Sequence, residues 1–235
     1  MNYLINTAFV GALFSLILSS EGCNGNTIPE VEPGSNEEIV VEMFEEINFF
    51  YENIATTELG LTYQNPQLVF DNNVNNFTYS PSREKVSIDL DTYFSWSNRI
   101  GANNDFILQI IIAHELAHHL QNKMGTIEWV TINKAYMPIE EYNKLIKKIE
   151  LQADFLAGVW AHFELSHVNQ NEFNEESIME VFDFLDYMGD DHLMEIQTNA
   201  NPDNFNHGTS SERMHWFMQG LNSGDISLGG SLDDF

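Results

Sequence analysis

His114, Glu115 and His118 are the residues of this chain best equipped to do chemistry. They stand in the run Ile110-Ile111-Ile112-Ala113-His114-Glu115-Leu116-Ala117-His118-His119-Leu120. A helix turns once in about 3.6 residues, so positions four apart share a face. His114 and His118 then point the same way and can bind one metal ion. Glu115, next in sequence, is set slightly aside, where it acts on water without being a ligand. Two imidazoles on one zinc ion with a carboxylate beside them are equipment for metal-assisted hydrolysis. The surroundings suit a helix. Asn103-Asn104-Asp105 supplies start residues, Phe106 to Ile112 is mostly apolar, and Gly125 suits a stop. The bland alternative is a buried helix with two incidental histidines, which leaves two imidazoles and a carboxylate needing partners.

A third ligand must come from elsewhere in the chain. Three and six residues past His118 stand Gln121 and Met124, so the Gly and His of a metzincin site are missing. A glutamate from a second helix is the gluzincin solution. The segment Met137 to His167 reads as that helix. Pro138 fits its first turn, and apolar residues recur at Tyr142, Leu145, Ile146, Ile149, Ala153, Leu156, Val159 and Trp160. Glu150 and Asp154 share one face of it. Glu150 is the expected third ligand. Asp154 is expected to accept an N–H from a ligand histidine and fix its tautomer. Such an acidic pair is also what a solvated helix face carries. Glu140 and Glu141 compete as ligands, but they lie in the first turn, where acids mainly offset the helix dipole.

Several further stretches make the chain resemble the neutral zinc metallopeptidase family of bacterial proteins, the YpfJ-like group. They are Asn76-Phe77-Thr78-Tyr79-Ser80-Pro81 with Lys85-Val86-Ser87-Ile88-Asp89-Leu90, the HExxHH helix, and Glu150 through Ala161. Gly189-Asp190-Asp191, Pro202-Asp203-Asn204-Phe205-Asn206-His207-Gly208-Thr209-Ser210, and Arg213, Trp216 and Phe217 complete the set. The resemblance runs from about Leu59 to Asp225. It implies a gluzincin-like peptidase, typically tethered by an N-terminal apolar segment. It also places a His-Gly-Thr-Ser run before the last helix, which makes His207 the candidate donor to a developing oxyanion. The alternative for His207 is a structural loop histidine. Arg213 is expected to pair with an acid or to pack. The chain departs from the family in two places. Ala117 stands where the family usually has Gly. Ser80 occupies one position of a cysteine pair that the family often carries, so this hairpin must hold by packing and hydrogen bonds.

The elements that would position these groups can be read more coarsely. Glu37 to Glu58 looks helical, with Val40, Phe44, Ile47, Phe50 and Ile54 near one face. Gln67 to Phe70, Phe77 to Tyr79 and Lys85 to Leu90 are short strands, the last two joined by a Pro-Ser-Arg turn. A strand beside the HExxH helix offers an edge to a peptide. Glu175 to Met188 is a further helix with an aromatic core stripe. Thr209-Ser210-Ser211-Glu212 has capping-box spacing and opens a last helix through Leu221. The residues after Gly224 read as loose. The expectation is an α+β, mostly helical, zincin-like domain over residues 37–235 with a small antiparallel sheet. Asp71-Asn72-Asn73-Val74-Asn75-Asn76 lacks the Gly and Glu of a calcium loop and is not read as one. His119 lies about 100° around the helix from His118, off the shared metal. His162, His167, His192 and His215 are read as structural.

Bulk properties limit the partners. The 235 residues are enough for one domain with a sizeable core. The formal charge of −27, from 36 acidic and 9 basic residues, argues against nucleic acid and against anionic lipid headgroups. A cationic substrate or simple solubility both fit it. An apolar run from Leu4 to Leu18, about fifteen residues, is short for a membrane span and suits a signal-peptide core. Cys23 is the sole cysteine, so an internal disulfide is excluded. It suits a bacterial lipoprotein acceptor, although Ser20 stands where a Leu is usual. Lipid attachment at Cys23, a retained anchor and simple secretion remain open readings of residues 1–23. All three put the domain outside the cytoplasm, in the cell envelope or the medium, with residues 24–36 as a linker.

The function expected is hydrolysis of peptide bonds in a peptide or protein substrate. One zinc ion on His114, His118 and Glu150 would keep a position open for water and lower its pKa. Glu115 would serve as the general base. The competing class is a zinc-stabilised envelope binding protein without turnover, for which a closed four-ligand site would speak.

Overall fold

The computed structural model describes residues 28–74, 76–100, 105–167, 175–196 and 206–235. Residues 1–27, with Cys23, and the stretches Asn103-Asn104 and Pro202 to Phe205 lie outside them. The first helix, α1 (Asn36–Asn53), is capped by Ser35, whose hydroxyl accepts from the Glu38 N–H. Its core stripe is Val40, Phe44, Ile47 and Tyr51, and it runs on into a π-helical turn, Ile54–Glu58. Ile28, in the expected linker, packs against the core.

Three strands follow: β1 (Gln67–Phe70), β2 (Phe77–Ser80) and β3 (Lys85–Ile88). A 3-10 turn, Pro81–Arg83, and the left-handed Glu84 (φ 46°) join β2 to β3. The sheet order is β1-β3-β2, with β3 antiparallel to β2 and parallel to β1. The small sheet is therefore mixed rather than wholly antiparallel. The chain reverses twice between β1 and β3, so β3 returns in β1's direction and inserts beside it. Four-residue strands carry too little periodicity to show that from sequence. The hairpin lacks a disulfide and is held by other means: Asn122 Nδ2 donates to the Pro81 carbonyl (3.3 Å), and Lys123 Nζ bonds Glu84 Oε1 (2.7 Å).

The remaining elements are helical: α2 (Leu90–Ile100), α3 (Asp105–Lys123), α4 (Thr126–Asn133), α5 (Ile139–His167), α6 (Glu175–Tyr187), α7 (Asp190–Ile196) and α8 (Ser210–Ser223). The helix α3 is the HExxH helix. It is buried on nearly all sides by α1, β2, α5 and α6, and Ala113, Leu116, Ala117 and Leu120 are wholly inaccessible. Gly125, at φ 79°, redirects the chain from α3 into α4, an element the sequence pattern did not announce. The expected capping box at the start of α8 is present in both directions between Thr209 and Glu212. The α5 and α8 backbones touch at two glycines. A Cβ on Gly158 would lie 2.1 Å from the Phe217 carbonyl oxygen, and one on Gly220 would lie 2.0 Å from that of Phe155.

The residues after Gly224 are not loose. They form 3-10 turns at Ile226–Gly229 and Leu232–Asp234. Ile226 is buried, Phe235 stacks on Trp216 at 4.2 Å between ring centroids, and Lys148 Nζ holds the Leu232 carbonyl (2.8 Å). Gly, Ser and Asp predominate here because the turns and their caps need them, while two or three apolar residues seat the segment. The fold class is the expected one, α+β and mostly helical.

A candidate metal centre between two helices

One turn of α3 presents His114 and His118 to Glu150 on α5. Glu150 Oε2 lies 3.2 Å from His114 Nε2 and 3.4 Å from His118 Nε2. The three ligand atoms all fall within 4.8 Å of one another, the one such group of His, Cys, Asp and Glu among the described residues. Ligands at about 2.1 Å from a tetrahedral zinc ion stand about 3.4 Å apart. The spacing and the N, N, O donor set therefore fit zinc.

Both rings are oriented from behind. His114 Nδ1–H donates to Asp154 Oδ1 (3.0 Å), and His118 Nδ1–H donates to Gln121 Oε1 (2.8 Å). With a proton held on Nδ1, Nε2 is the atom that each ring turns to the shared centre and offers to a metal. Asp154 is in turn gripped by Arg213 of α8, with Nε on Oδ2 (2.9 Å) and Nη2 on Oδ1 (2.8 Å). Arg213 Nη1 reaches the Met188 carbonyl at 3.3 Å. Gln121 Nε2 donates to the Ile149 carbonyl (2.8 Å) and to Gln152 Oε1 (2.9 Å). Asp154 thus has the partner expected of it, and Arg213 pairs with an acid as expected.

The charges are strongly coupled. Burial disfavours a charged His114, but the hydrogen bonds its ring donates to Asp154 and Glu150, with their negative charge, lift its pKa to about 10. His118 is also raised, because the Glu150 carboxylate outweighs desolvation. Burial alone would raise Glu150 and Asp154, yet both are held low, Glu150 mainly by the two rings and Asp154 mainly by Arg213. Such a site attracts a cation, since a metal replaces protons that the carboxylates hold on the rings.

Glu115 lies beside this triad and outside it. Its buried carboxyl is raised, chiefly by desolvation, and it accepts a hydrogen bond from the Tyr79 backbone N–H of β2. The Asn76 carbonyl accepts from Asp89 N–H (3.2 Å). In an antiparallel ladder alternate residues face the partner strand. Thr78 and Ser80 therefore turn their main-chain groups to β3, while Tyr79 turns its N–H the other way, to Glu115 at the outer edge of β2. That edge borders a cleft of about 300 Å³ shared by His114, Glu115, His118 and Glu150. His119 faces away from the triad, as expected. Its Nε2–H donates to the Gln64 carbonyl (2.7 Å), and its Nδ1 accepts from the Tyr79 hydroxyl (2.8 Å). It anchors β2 to α3.

His207 lines the same cleft and is about half exposed. Its Nδ1 faces Asp190 Oδ1 at 3.5 Å, and this contact, despite partial desolvation, raises its pKa. Asp190 is buried. Its Oδ2 accepts from the Gly208 N–H (2.7 Å), and its own N–H donates to the Gly208 carbonyl (2.9 Å), pinning the loop that carries His207. Glu140 and Glu141 are solvent-exposed and belong to no ligand group. His162 bonds the Leu221 carbonyl (2.7 Å), away from the centre. Sequence reasoning did not assign Gln121, Gln152 or Asp190. The i, i+3 spacing of His118 and Gln121 was the one available signal, and neutral amides do not advertise a site.

Two helices thus bring His114, His118 and Glu150 together as possible metal ligands, with the buried Glu115 beside them. The chain belongs to the family described as "Putative neutral zinc metallopeptidase", whose pattern matches residues 30–232. It is similar to "Uncharacterized protein YpfJ" of Escherichia coli K12, 34% identical over 193 residues that cover 73% of this chain and 66% of that protein. It is also similar to "Uncharacterized protein Rv2575" of Mycobacterium tuberculosis, 27% identical over 160 residues, or 64% of this chain and 53% of that protein. The chain thus spans about two thirds of the first relative's length and about half of the second's. No solved structure matches it.

Proposed function

We propose that this protein is a zinc-dependent peptidase that hydrolyses bonds in extended peptide segments. The observation that carries the reading is Glu115. A purely structural zinc site has no need of a buried carboxylate beside, but not within, its ligand set. His114, His118 and Glu150 would hold the ion. Zinc, when bound, supplies Lewis-acid polarisation of the scissile carbonyl and makes water an available nucleophile near neutral pH.

The chain's own groups do the rest. The outer edge of β2, beside Glu115 and the ligand triad, aligns a substrate strand through main-chain hydrogen bonds. Glu115, with its proton affinity raised by burial, takes a proton from water at its carboxylate and delivers it to the leaving amine. His207, held toward the cleft by Asp190, donates to the carbonyl oxygen as charge develops there. Ile110, Phe184, Ile127 and Ile146 line the cleft, exclude water and favour apolar side chains next to the bond.

The test is a paired measurement of zinc content and casein cleavage for wild type and Glu115→Gln. We expect equal zinc and a loss of cleavage of about 100-fold or more. Equal cleavage by both proteins would refute the role of Glu115. Zinc uptake without cleavage by either would favour a zinc-stabilised binding protein. We place the domain outside the cytoplasm, anchored or secreted, with any membrane attachment made only through its N-terminal segment, on the strength of the apolar run Leu4 to Leu18 and of Cys23. No helix among the described residues is long and apolar enough to cross a membrane. Finding the protein in the cytosolic fraction would refute that placement.

A further inference from the structure

Residues 225–235 supply no metal ligand, yet a continuous line of buried amides joins them to His118. The Gly229 carbonyl accepts from Gln152 Nε2 (2.7 Å). Gln152 Oε1 accepts from Gln121 Nε2 (2.9 Å), and Gln121 Oε1 accepts from His118 Nδ1–H (2.8 Å). Gln121 and Gln152 are 0% and 1% exposed, so neither can exchange a partner for water without loss. Every direction along the line is forced. A carbonyl only accepts, so Gln152 must present its NH2 to Gly229 and its oxygen to Gln121. Gln121 must then present its oxygen to His118, and the Ile149 carbonyl, on the other Gln121 proton, enforces the same orientation. His118 is left with a proton fixed on Nδ1 and with Nε2 turned toward Glu150 as its one atom free to take a metal.

The segment is seated closely enough to act this way. A Cβ on Gly229 would lie 2.5 Å from Phe155 Cδ1, so only glycine lets this carbonyl come so near α5. Ile226 is buried beside it, and Lys148 and Trp216 hold Leu232 and Phe235.

We propose that residues 225–235 are a positioning strap for the metal centre, whose docking fixes the ring of His118 and thereby sets the affinity for zinc. By linkage the effect is reciprocal, and zinc tightens the strap. The inference rests on the zinc reading of the site, though not on peptidase activity.

The experiment uses the full-length chain and zinc itself. Affinity is read by competition with a fluorescent zinc chelator for wild type, for Gln152→Met, which keeps the volume but cuts the line, and for Ser35→Ala. The last removes a distant helix cap and controls for general destabilisation. We expect a loss of about 10- to 100-fold in zinc affinity for Gln152→Met and wild-type affinity for Ser35→Ala. Wild-type affinity in Gln152→Met would overturn the proposal, as would an equal loss in both variants. Should Gln152→Met fail to fold, hydrogen exchange on the unaltered protein decides. Zinc should slow the amides of residues 226–229 more than those of α1, and equal slowing would overturn the strap. A wild-type protein that takes up no zinc would instead remove the metal reading beneath it.

Discussion

Acid should weaken this fold through a histidine that touches no metal. His119 is 0% exposed, and its desolvated ring has a pKa lowered to about 4 from an ordinary 6.5. Desolvation is the main cause, and the neutral ring suits its partners. Nε2–H serves the Gln64 carbonyl and the Nδ1 lone pair serves the Tyr79 hydroxyl, which itself accepts from Asn122 Nδ2 (3.0 Å). A proton on Nδ1 would face the Tyr79 hydroxyl and break that order. Above pH 6.5 the ring is neutral whether the chain is folded or not, and its full contribution is present. As pH falls from 6.5 toward 4, the unfolded chain takes up a proton that the folded one refuses, and stability is lost. A gap of about 2.5 units at about 1.4 kcal/mol each gives a loss of about 3–4 kcal/mol, complete below pH 4. The assay is urea unfolding of wild type and His119→Gln at several pH values between 7.5 and 4, both with chelator so that metal release does not intrude. Glutamine retains a donor and an acceptor but does not titrate. The wild-type curve should fall more steeply by about one proton across this window, and parallel curves for the two proteins would refute the argument.

Three other perturbations have definite expected outcomes. Arg213→Met leaves the Asp154 carboxylate buried without its cation and should cost about 3–5 kcal/mol by denaturant unfolding. Gly220→Ala pushes a methyl into the Phe155 carbonyl on α5 and should lower stability by about 1–3 kcal/mol, read as a drop in Tm. Asp190→Asn keeps an acceptor for Gly208 but removes the charge that raises the His207 pKa. The high-pH limb of kcat should therefore shift to lower pH, and an unmoved limb would show that His207 does not donate in the reaction.

The sequence discloses this centre unevenly. The long helices are visible in it, α3 as a nearly continuous apolar run and α5 by its 3.6-residue recurrence, and so are His114, His118 and Glu150, because ligand chemistry restricts residue type and spacing together. The capping box of α8 is legible for the same reason, as a local hydrogen-bond pattern written in residue types. The helix α4 is too short to establish a period, and its exposed Trp129 and Ile132 mask any polar face. The parallel pairing of β1 with β3 is set by chain reversals rather than by anything in Gln67–Phe70. The roles of Gln121 and Gln152 escape notice because an amide becomes directional only when burial fixes its partners. The docking of residues 225–235 escapes for a related reason: Phe235 and Ile226 are too sparse to show a pattern, and their binding surface, on α5 and α8, is distant in sequence.

The ion pair between Arg213 and Asp154 bears on how the molecule is made. Synthesis proceeds from the N-terminus, so both histidines and Glu150 are translated well before the arginine that steadies Asp154 behind His114. The interval is roughly 60 residues, several seconds at about 5–20 residues per second. During that time the emerging chain carries all three ligands without the guanidinium that braces Asp154 behind His114. A ligand set braced in this way is fully ordered only after its last helix has docked, so the growing polypeptide cannot complete the centre while α8 is still on the ribosome.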